Sequence, residues 1–139
     1  MRQEFYNLRI NTDGQKLYEF TGHTIKWINE NKFKNGIINL SIQHTSASLI
    51  VQENADPDVQ TDLINYFNNL APMDDKLYKH NAEGKDDMPA HIKSALTNNQ
   101  ISLSIKNGEL FLGTWQGIYL FEHRLNTHTR TVIHHFLGD

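Results

Sequence analysis

Eight residues of this chain are histidine, at positions 23, 44, 80, 91, 123, 128, 134 and 135, and none is cysteine. Without thiolate, any metal must be held by imidazole and carboxylate. A histidine-dominated set favours zinc or a similar borderline ion, and an oxygen-dominated set favours magnesium or manganese. Three histidines stand in unusual contexts. His44 ends an alternating apolar phase, Ile38-Leu40-Ile42. His80 lies in the polar run "YKHNAEGKDDMPAH", which ends at His91. Drawn from a strand, a loop and a helix, the three could meet on one ion and leave a coordination position open, as a catalytic metal requires. Spacing alone equally allows a hydrogen-bonded core His44 and two surface histidines. His23, His128, His134 and His135 read as structural or exposed, with the adjacent pair on opposite faces of a strand.

Carboxylates gather in the same places. Glu53, Asp56 and Asp58 follow one apolar strand, and Glu83, Asp86 and Asp87 precede His91. Asp56, just before Pro57, is accounted for as a helix N-cap. Glu53 and Glu122 each continue an inward phase, so each either has a partner in the interior or faces solvent at a strand end. Thr45, Ser46, Lys93, Ser94 and Gln116 form a set suited to an anion, aided by the free amides at the start of the His91 helix. "GTWQG", Gly113 to Gly117, is either a kink offering amides and Gln116 to a ligand or a sheet corner with Trp115 in the core.

The elements that must position these groups can be read from periodicity. "EFYNLRI" and "QKLYEF" are strands joined by the turn "NTDG". "TGHTIKWINENKF" is a helix capped by Thr21, with Ile25, Ile28 and Phe33 inward and Gly36 closing it. Strands follow at Ile37–His44 and Ala47–Glu53. A helix from Asp56 buries Val59, Leu63, Phe67 and Leu70 and stops at Pro72. Met73–Met88 is polar and aperiodic, a long loop of the kind that often carries function. Pro89 starts a short helix. The final third is strand, with a hairpin at "KNGE" and strands at "LFLGTW", "GIYLFEHR" and "RTVIHHF". Strands at both ends with helices between predict one α+β domain over 1–139, with antiparallel sheets.

At 139 residues the chain suffices for one domain with a real core. Its formal charge of −3 and scattered basic residues exclude the electrostatic footprint of a nucleic-acid binder. No apolar run approaches a membrane span, and "MRQEFYNLRI" has no signal-peptide pattern. A cytoplasmic protein without membrane or nucleic-acid partners is the expectation.

Three segments, "HTSASLIVQENADPDV", "HNAEGKDDMPAHIKSAL" and "GELFLGTWQGIYLFEHR", occur in an order and at separations that resemble the secondary thiamine-phosphate synthase family, the YjbQ-like proteins. The resemblance spans nearly the whole chain. It implies an antiparallel α+β sandwich assembled as a homotrimer, with a polar pocket near the subunit interface. It implies His44, His80 and His91 as ligands of a divalent metal, zinc or magnesium, or of an anion. Thr45, Ser46, Asn54, Lys93, Gln116 and Glu122 become pocket residues. The implied activity joins a pyrimidine diphosphate to a thiazole phosphate. A divalent ion and Lys93 would stabilise the departing pyrophosphate, and a histidine or Glu122 would serve as general acid–base. The tail "HRLNTHTRTVIHHF" is richer in histidine and poorer in arginine than the resemblance implies, and no function is carried onto it. Two alternatives stand beside this: a different metal-assisted phosphate-ester hydrolase, and a non-enzymatic trimer that binds a phosphorylated ligand or metal.

Overall fold

A computed structural model describes residues 1–139. Eight strands, β1 (Arg2–Thr12), β2 (Lys16–Glu19), β3 (Gly36–Ile42), β4 (Ala47–Glu53), β5 (Gln100–Lys106), β6 (Glu109–Leu110), β7 (Gln116–Glu122) and β8 (His128–Gly138), form two sheets. Helices α1 (Thr21–Asn31), α2 (Pro57–Leu70) and α3 (Asp87–Leu96) complete the regular structure, with one 3₁₀ turn at Asp75–Leu77. The larger sheet runs β1-β8-β3-β5-β6 and the smaller β2-β7-β4. Every strand pairing is antiparallel, as the sequence predicts.

The two sheets face each other as a sandwich. Leu8, Ile38, Leu40, Val132 and Phe136 of the larger sheet meet Ala47, Leu49, Ile118 and Leu120 of the smaller one. Alternation with period two places these side chains on the inner faces. On the outer side of the smaller sheet, Leu17, Tyr119 and Phe121 pack against Leu63, Ile64 and Phe67 of α2. Helix α2 begins as its sequence dictates: the Asp56 carboxylate accepts from the Asp58 N–H, and Pro57 opens the first turn. Leu70, expected inward, is exposed.

Several local readings need correction. The turn after β1 does not make a hairpin. β1 pairs with β8, and β2 crosses to the other sheet to pair with β7. The Tyr18 hydroxyl fastens that crossing by accepting from the Asp13 N–H. Thr21 does not cap α1; its hydroxyl bonds Glu19 and accepts from Ile118 N–H instead. The inward stripe of α1 is Thr24, Trp27 and Ile28, and Ile25 is exposed. The helix closes at Lys32, in left-handed conformation, while Gly36 belongs to β3. There a Cβ would collide with the backbone of Leu137 and Gly138. "LFLGTW" supplies only the end of the short β6, and Trp115 is 64% exposed rather than in the core. Helix α3 starts at Asp87, two residues before Pro89.

At one end of the sandwich the apolar core gives way to a buried ion pair. Glu122 continues the inner phase of β7, as expected, and meets Arg130 of β8. Its two carboxylate oxygens accept from Arg130 Nε at 2.7 Å and NH2 at 2.6 Å. Thr12 Oγ1 donates to the same carboxylate at 2.6 Å. Burial alone would raise the Glu122 pKa, but the Arg130 and Thr12 hydrogen bonds and the guanidinium charge outweigh it and hold it low. The inner faces of the two sheets are thus joined by charge where hydrophobic contact ends.

Candidate functional site

The chain turns at this charged end of the sandwich, and the residues of interest lie beside it. β3 and β8 pair through Ile42 and Val132. Just beyond, the His44 Nε2 atom accepts the Thr131 N–H at 3.0 Å, so the imidazole continues the ladder where the strand has ended. His44 therefore has a place in the fold, and one of its nitrogens is unavailable to a metal. Its pKa is lowered, first by burial and then by the Arg130 charge, so the ring is neutral.

The early start of α3 brings Asp87 into the first helical turn, with His91 four residues later on the same face. The Asp87 Oδ2 atom lies 2.7 Å from His80 Nε2 and 3.1 Å from His91 Nε2. Their ligand atoms all lie within 4.8 Å of one another. Glu83 stands at the rim, its Oε2 3.3 Å from His80 Nε2. Of the three histidines singled out in the sequence, the structure brings together His80 and His91. Asp87, not His44, completes the cluster.

The hydrogen bonds in this cluster fit a cation. His91 Nδ1 faces the Thr45 carbonyl oxygen at 2.8 Å and must donate to it. In the neutral ring, Nε2 then carries a lone pair pointing at an anionic oxygen. Two acceptors at this distance need a proton or a metal between them. A ligating histidine whose other nitrogen donates to a backbone carbonyl is the usual outer-shell arrangement of metal sites. Asp87 is fixed from behind: Arg124 NH1 donates to its Oδ1 at 2.7 Å, leaving Oδ2 for the histidines. Arg124 also donates from Nε to Asp86 and from NH2 to the Glu83 carbonyl oxygen. Burial opposes ionisation of Asp87. Hydrogen bonding by His80, with the Arg124 charge, prevails and keeps its pKa low. The carboxylate is thus ionised and presented by one oxygen.

His91 also lines a cavity of about 290 Å³, together with His44, Thr45, Ala47, Ser94, Ala95 and Asn99. A separate groove of about 390 Å³ runs between β1, β2 and the start of α1, lined by Leu8, Leu17, Phe20 and His23 among others, away from the cluster.

The other expected site residues divide. Thr45 and Ser94 line the cavity, the latter with its hydroxyl on the Ala47 carbonyl. Ser46 is buried and its Oγ accepts from Arg130 NH2 at 3.0 Å. Lys93 is not in the cavity. Its side chain is wholly buried, and Nζ donates to Asn68 Oδ1 at 2.6 Å. Burial pulls its pKa down to about 8, partly offset by Asp86. Glu122 is not placed as a general acid–base, because Arg130 and Thr12 occupy its oxygens. Gln116 and Asn54 lie at the opposite end of the smaller sheet, since Gln116 pairs with Glu53 while Ala47 pairs with Glu122. Seven residues of strand separate those ends, roughly 20 Å. Gln116 Oε1 accepts from the Gly113 N–H, closing its own loop, and Asn54 bonds Glu19. Glu53 accepts from the Asp56 N–H and serves the entry to α2.

The sequence places Asp87 among the carboxylates before His91 without joining it to the histidines, and gives Arg124 and Arg130 no role. The i−4 spacing of Asp87 to His91 is the signal that joins them, and it counts only for a helix that starts at Asp87. Arg124 and Arg130 had no signal beyond their place in the set-aside tail.

Comparison with known proteins is consistent along the chain. Residues 6–139 match the model of the family described as UPF0047 protein YjbQ-like. The UPF0047 protein sll1880 of Synechocystis is 49% identical over 138 residues, covering 99% of this chain and 94% of that protein. The UPF0047 protein YjbQ of Salmonella typhimurium is 43% identical, covering 76% of each chain. A crystal structure of an uncharacterized conserved protein of the YjbQ/UPF0047 family from Clostridium acetobutylicum superposes with a TM-score of 0.84 at 32% identity, covering 96% of this chain and 99% of that one. A hypothetical protein from Aeropyrum pernix gives a TM-score of 0.89 at 25% identity, covering 98% and 99%. The YjbQ part of the resemblance rests on these matches, and the thiamine-phosphate synthase part gains no support from them. By sequence and by fold, this chain belongs to the YjbQ-like UPF0047 family.

Proposed function

We propose that this chain is a divalent-metal-dependent enzyme that acts on one small phosphorylated metabolite, with phosphate-ester hydrolysis as the reaction class. The observation that carries the reading is the cluster of His80, Asp87 and His91, whose His91 also lines a cavity with Thr45, Ser94 and Asn99. Two imidazoles and a carboxylate match the donor set of hydrolytic zinc sites and leave coordination positions open. A bound divalent ion would supply polarisation of a phosphoryl oxygen and a water activated for attack. The chain's own residues do the rest. The Thr45 carbonyl and Arg124 hold His91 and Asp87 in their ligating orientations. Thr45 and Asn99 line the cavity where a substrate's polar groups would sit.

Transfer of the thiamine-phosphate synthase type is the less favoured alternative within this reading. It needs two substrates side by side, and about 290 Å³ is at the small end for even one drug-sized ligand. Lys93, expected to stabilise the departing pyrophosphate, is sealed against Asn68. The reading includes a self-associated state of three copies, as the resemblance implies. The outer face of the larger sheet, uncovered by any helix and carrying exposed Phe5, Ile37 and Leu137, supports it.

The test is metal content and turnover measured together. Wild-type protein is expected to retain about one zinc, cobalt or manganese ion per chain and to release phosphate from some member of a panel of small phosphate esters. His91→Ala and Asp87→Ala are expected to lose both while still folding. The panel should include the pyrimidine diphosphate with the thiazole phosphate. Wild-type protein that binds no divalent ion and turns over nothing would overturn the proposal.

A further inference from the structure

The geometry points to a phosphate-oxygen subsite formed by His44 Nδ1–H and Arg130 NH1, behind the His44 wall of the cavity that His91 also lines. This deepens the reading above and rests on it for the class of ligand. It starts from a mismatch between two donors. His44 Nε2 is committed as acceptor of the Thr131 N–H, so the proton of the neutral ring lies on Nδ1. That Nδ1 stands 3.4 Å from Arg130 NH1, which has no other hydrogen-bond partner. A guanidinium nitrogen only donates, and here Nδ1 also donates, so the pair cannot satisfy each other.

The rest of Arg130 is fully engaged. Nε and NH2 grip Glu122, and NH2 also reaches Ser46 Oγ. The side chain is 5% exposed, so it cannot swing into water to find an acceptor. One oxygen can sit about 2.8 Å from each of two donors that are 3.4 Å apart, which is the geometry of a shared acceptor. The acceptor suited to an Arg edge beside an imidazole N–H is an anionic oxygen, a phosphate above all. His44 lines the cavity that His91 also lines. Glu122 neutralises most of the Arg130 charge, so the subsite recognises the oxygen by direction more than by net charge.

The experiment measures inorganic phosphate binding by calorimetry, with and without Co²⁺, on wild type, His44→Phe and Arg130→Lys. Co²⁺ binding is followed separately by its absorption spectrum, and folding by thermal melt. Each folded variant is expected to weaken phosphate binding at least about tenfold, the worth of one hydrogen bond to a charged group. Co²⁺ affinity should stay within twofold of wild type. Arg130→Lys keeps a charge for Glu122, and if it does not fold, His44→Phe decides alone. Phosphate affinity unchanged in a folded variant overturns the subsite, as does wild-type protein that binds no phosphate in either state. Phosphate binding that depends on His44 in a protein that takes up no Co²⁺ upholds the subsite and removes the metal reading.

Discussion

Arg124 makes no contact with the cavity, yet it sets how Asp87 is presented. With Oδ1 held at 2.7 Å, Asp87 offers a single oxygen to the histidines. Outer-shell partners of this kind typically change metal affinity by about 10- to 100-fold. Arg124→Ala should therefore weaken Co²⁺ binding by that order while leaving the histidine ligands in place, which titration of the visible spectrum would check. Arg124→Lys should recover only part, because one ammonium cannot reproduce the contacts to Asp86, Asp87 and the Glu83 carbonyl. Full affinity in Arg124→Ala would show that α3 alone fixes the carboxylate. Glu122 is the contrasting case, a residue of chemical type used for structure. Glu122→Gln leaves Arg130 buried without a counter-charge and should cost about 3–5 kcal/mol in denaturant unfolding. That variant should be judged on stability before any loss of turnover is ascribed to acid–base chemistry.

Among the elements, α1 is tied to the larger sheet through a histidine. His134 of β8 is wholly buried, its Nε2 2.8 Å from Thr24 Oγ1, with Tyr6, Phe20 and Trp27 around the ring. Burial pulls its pKa down to about 4, the Val132 carbonyl opposing and His23 assisting. His123, on the segment after β7, is lowered to about 3 by burial and by the charges of Lys93 and Arg130, and its Nδ1 has no partner. Both rings are neutral when folded and protonate near 6.5 when unfolded. The unfolded chain thus binds more protons below that value, and stability falls as pH drops from about 6.5 toward 4. Thermal melts between pH 7.5 and 4.5 should show this decline, and His134→Gln should flatten part of it. An equal slope in wild type and variant would assign the acid sensitivity elsewhere. The sequence announced His134 and His135 as facing opposite ways because period two is a backbone property. It did not announce which was inside, because that depends on what α1 lays over the strand. The same distinction runs through the site. Asp56-Pro57 fixed the start of α2 through local capping, so it was legible. The start of α3 has no local signal, because Asp86 makes no N-cap hydrogen bond; its carboxylate is taken by Arg124 and the Leu125 N–H, about forty residues along the chain. Moving that boundary by two residues admits Asp87 to the cluster. His44, Glu122 and Gln116 were identified as polar and special, but only strand pairing could show that Gln116 lies at the far end of β7 from Glu122.

For the molecule as a whole, the sandwich is covered unequally. Helix α2 lies over the outside of the smaller sheet, while the outer face of the larger sheet carries no layer. On that face Phe5 stacks on His135, with ring centroids 4.2 Å apart, and Leu137 pairs with Ile37 across β8 and β3. Phe5, Ile37 and Leu137 are 62%, 54% and 44% exposed. β1 beside them is an edge strand of 11 residues with one side unpaired, the kind of edge that native proteins usually cover or blunt. Burying the exposed remainder of these three side chains would contribute on the order of 1 kcal/mol each towards holding copies together. The three-copy state proposed above predicts a sedimenting species of three times the 16.1 kDa chain mass. Phe5→Glu with Leu137→Glu should shift it to the single-chain mass. Because those positions lie on the face turned away from the core, the isolated chain should stay folded by circular dichroism. The consequence for the site is separable: His80, Asp87 and His91 all come from one chain, so the monomeric variant should still bind Co²⁺. If monomers bind the ion but lose turnover, the neighbouring copy completes the cavity. If wild type sediments as a monomer, the uncovered face has another purpose and the three-copy reading fails.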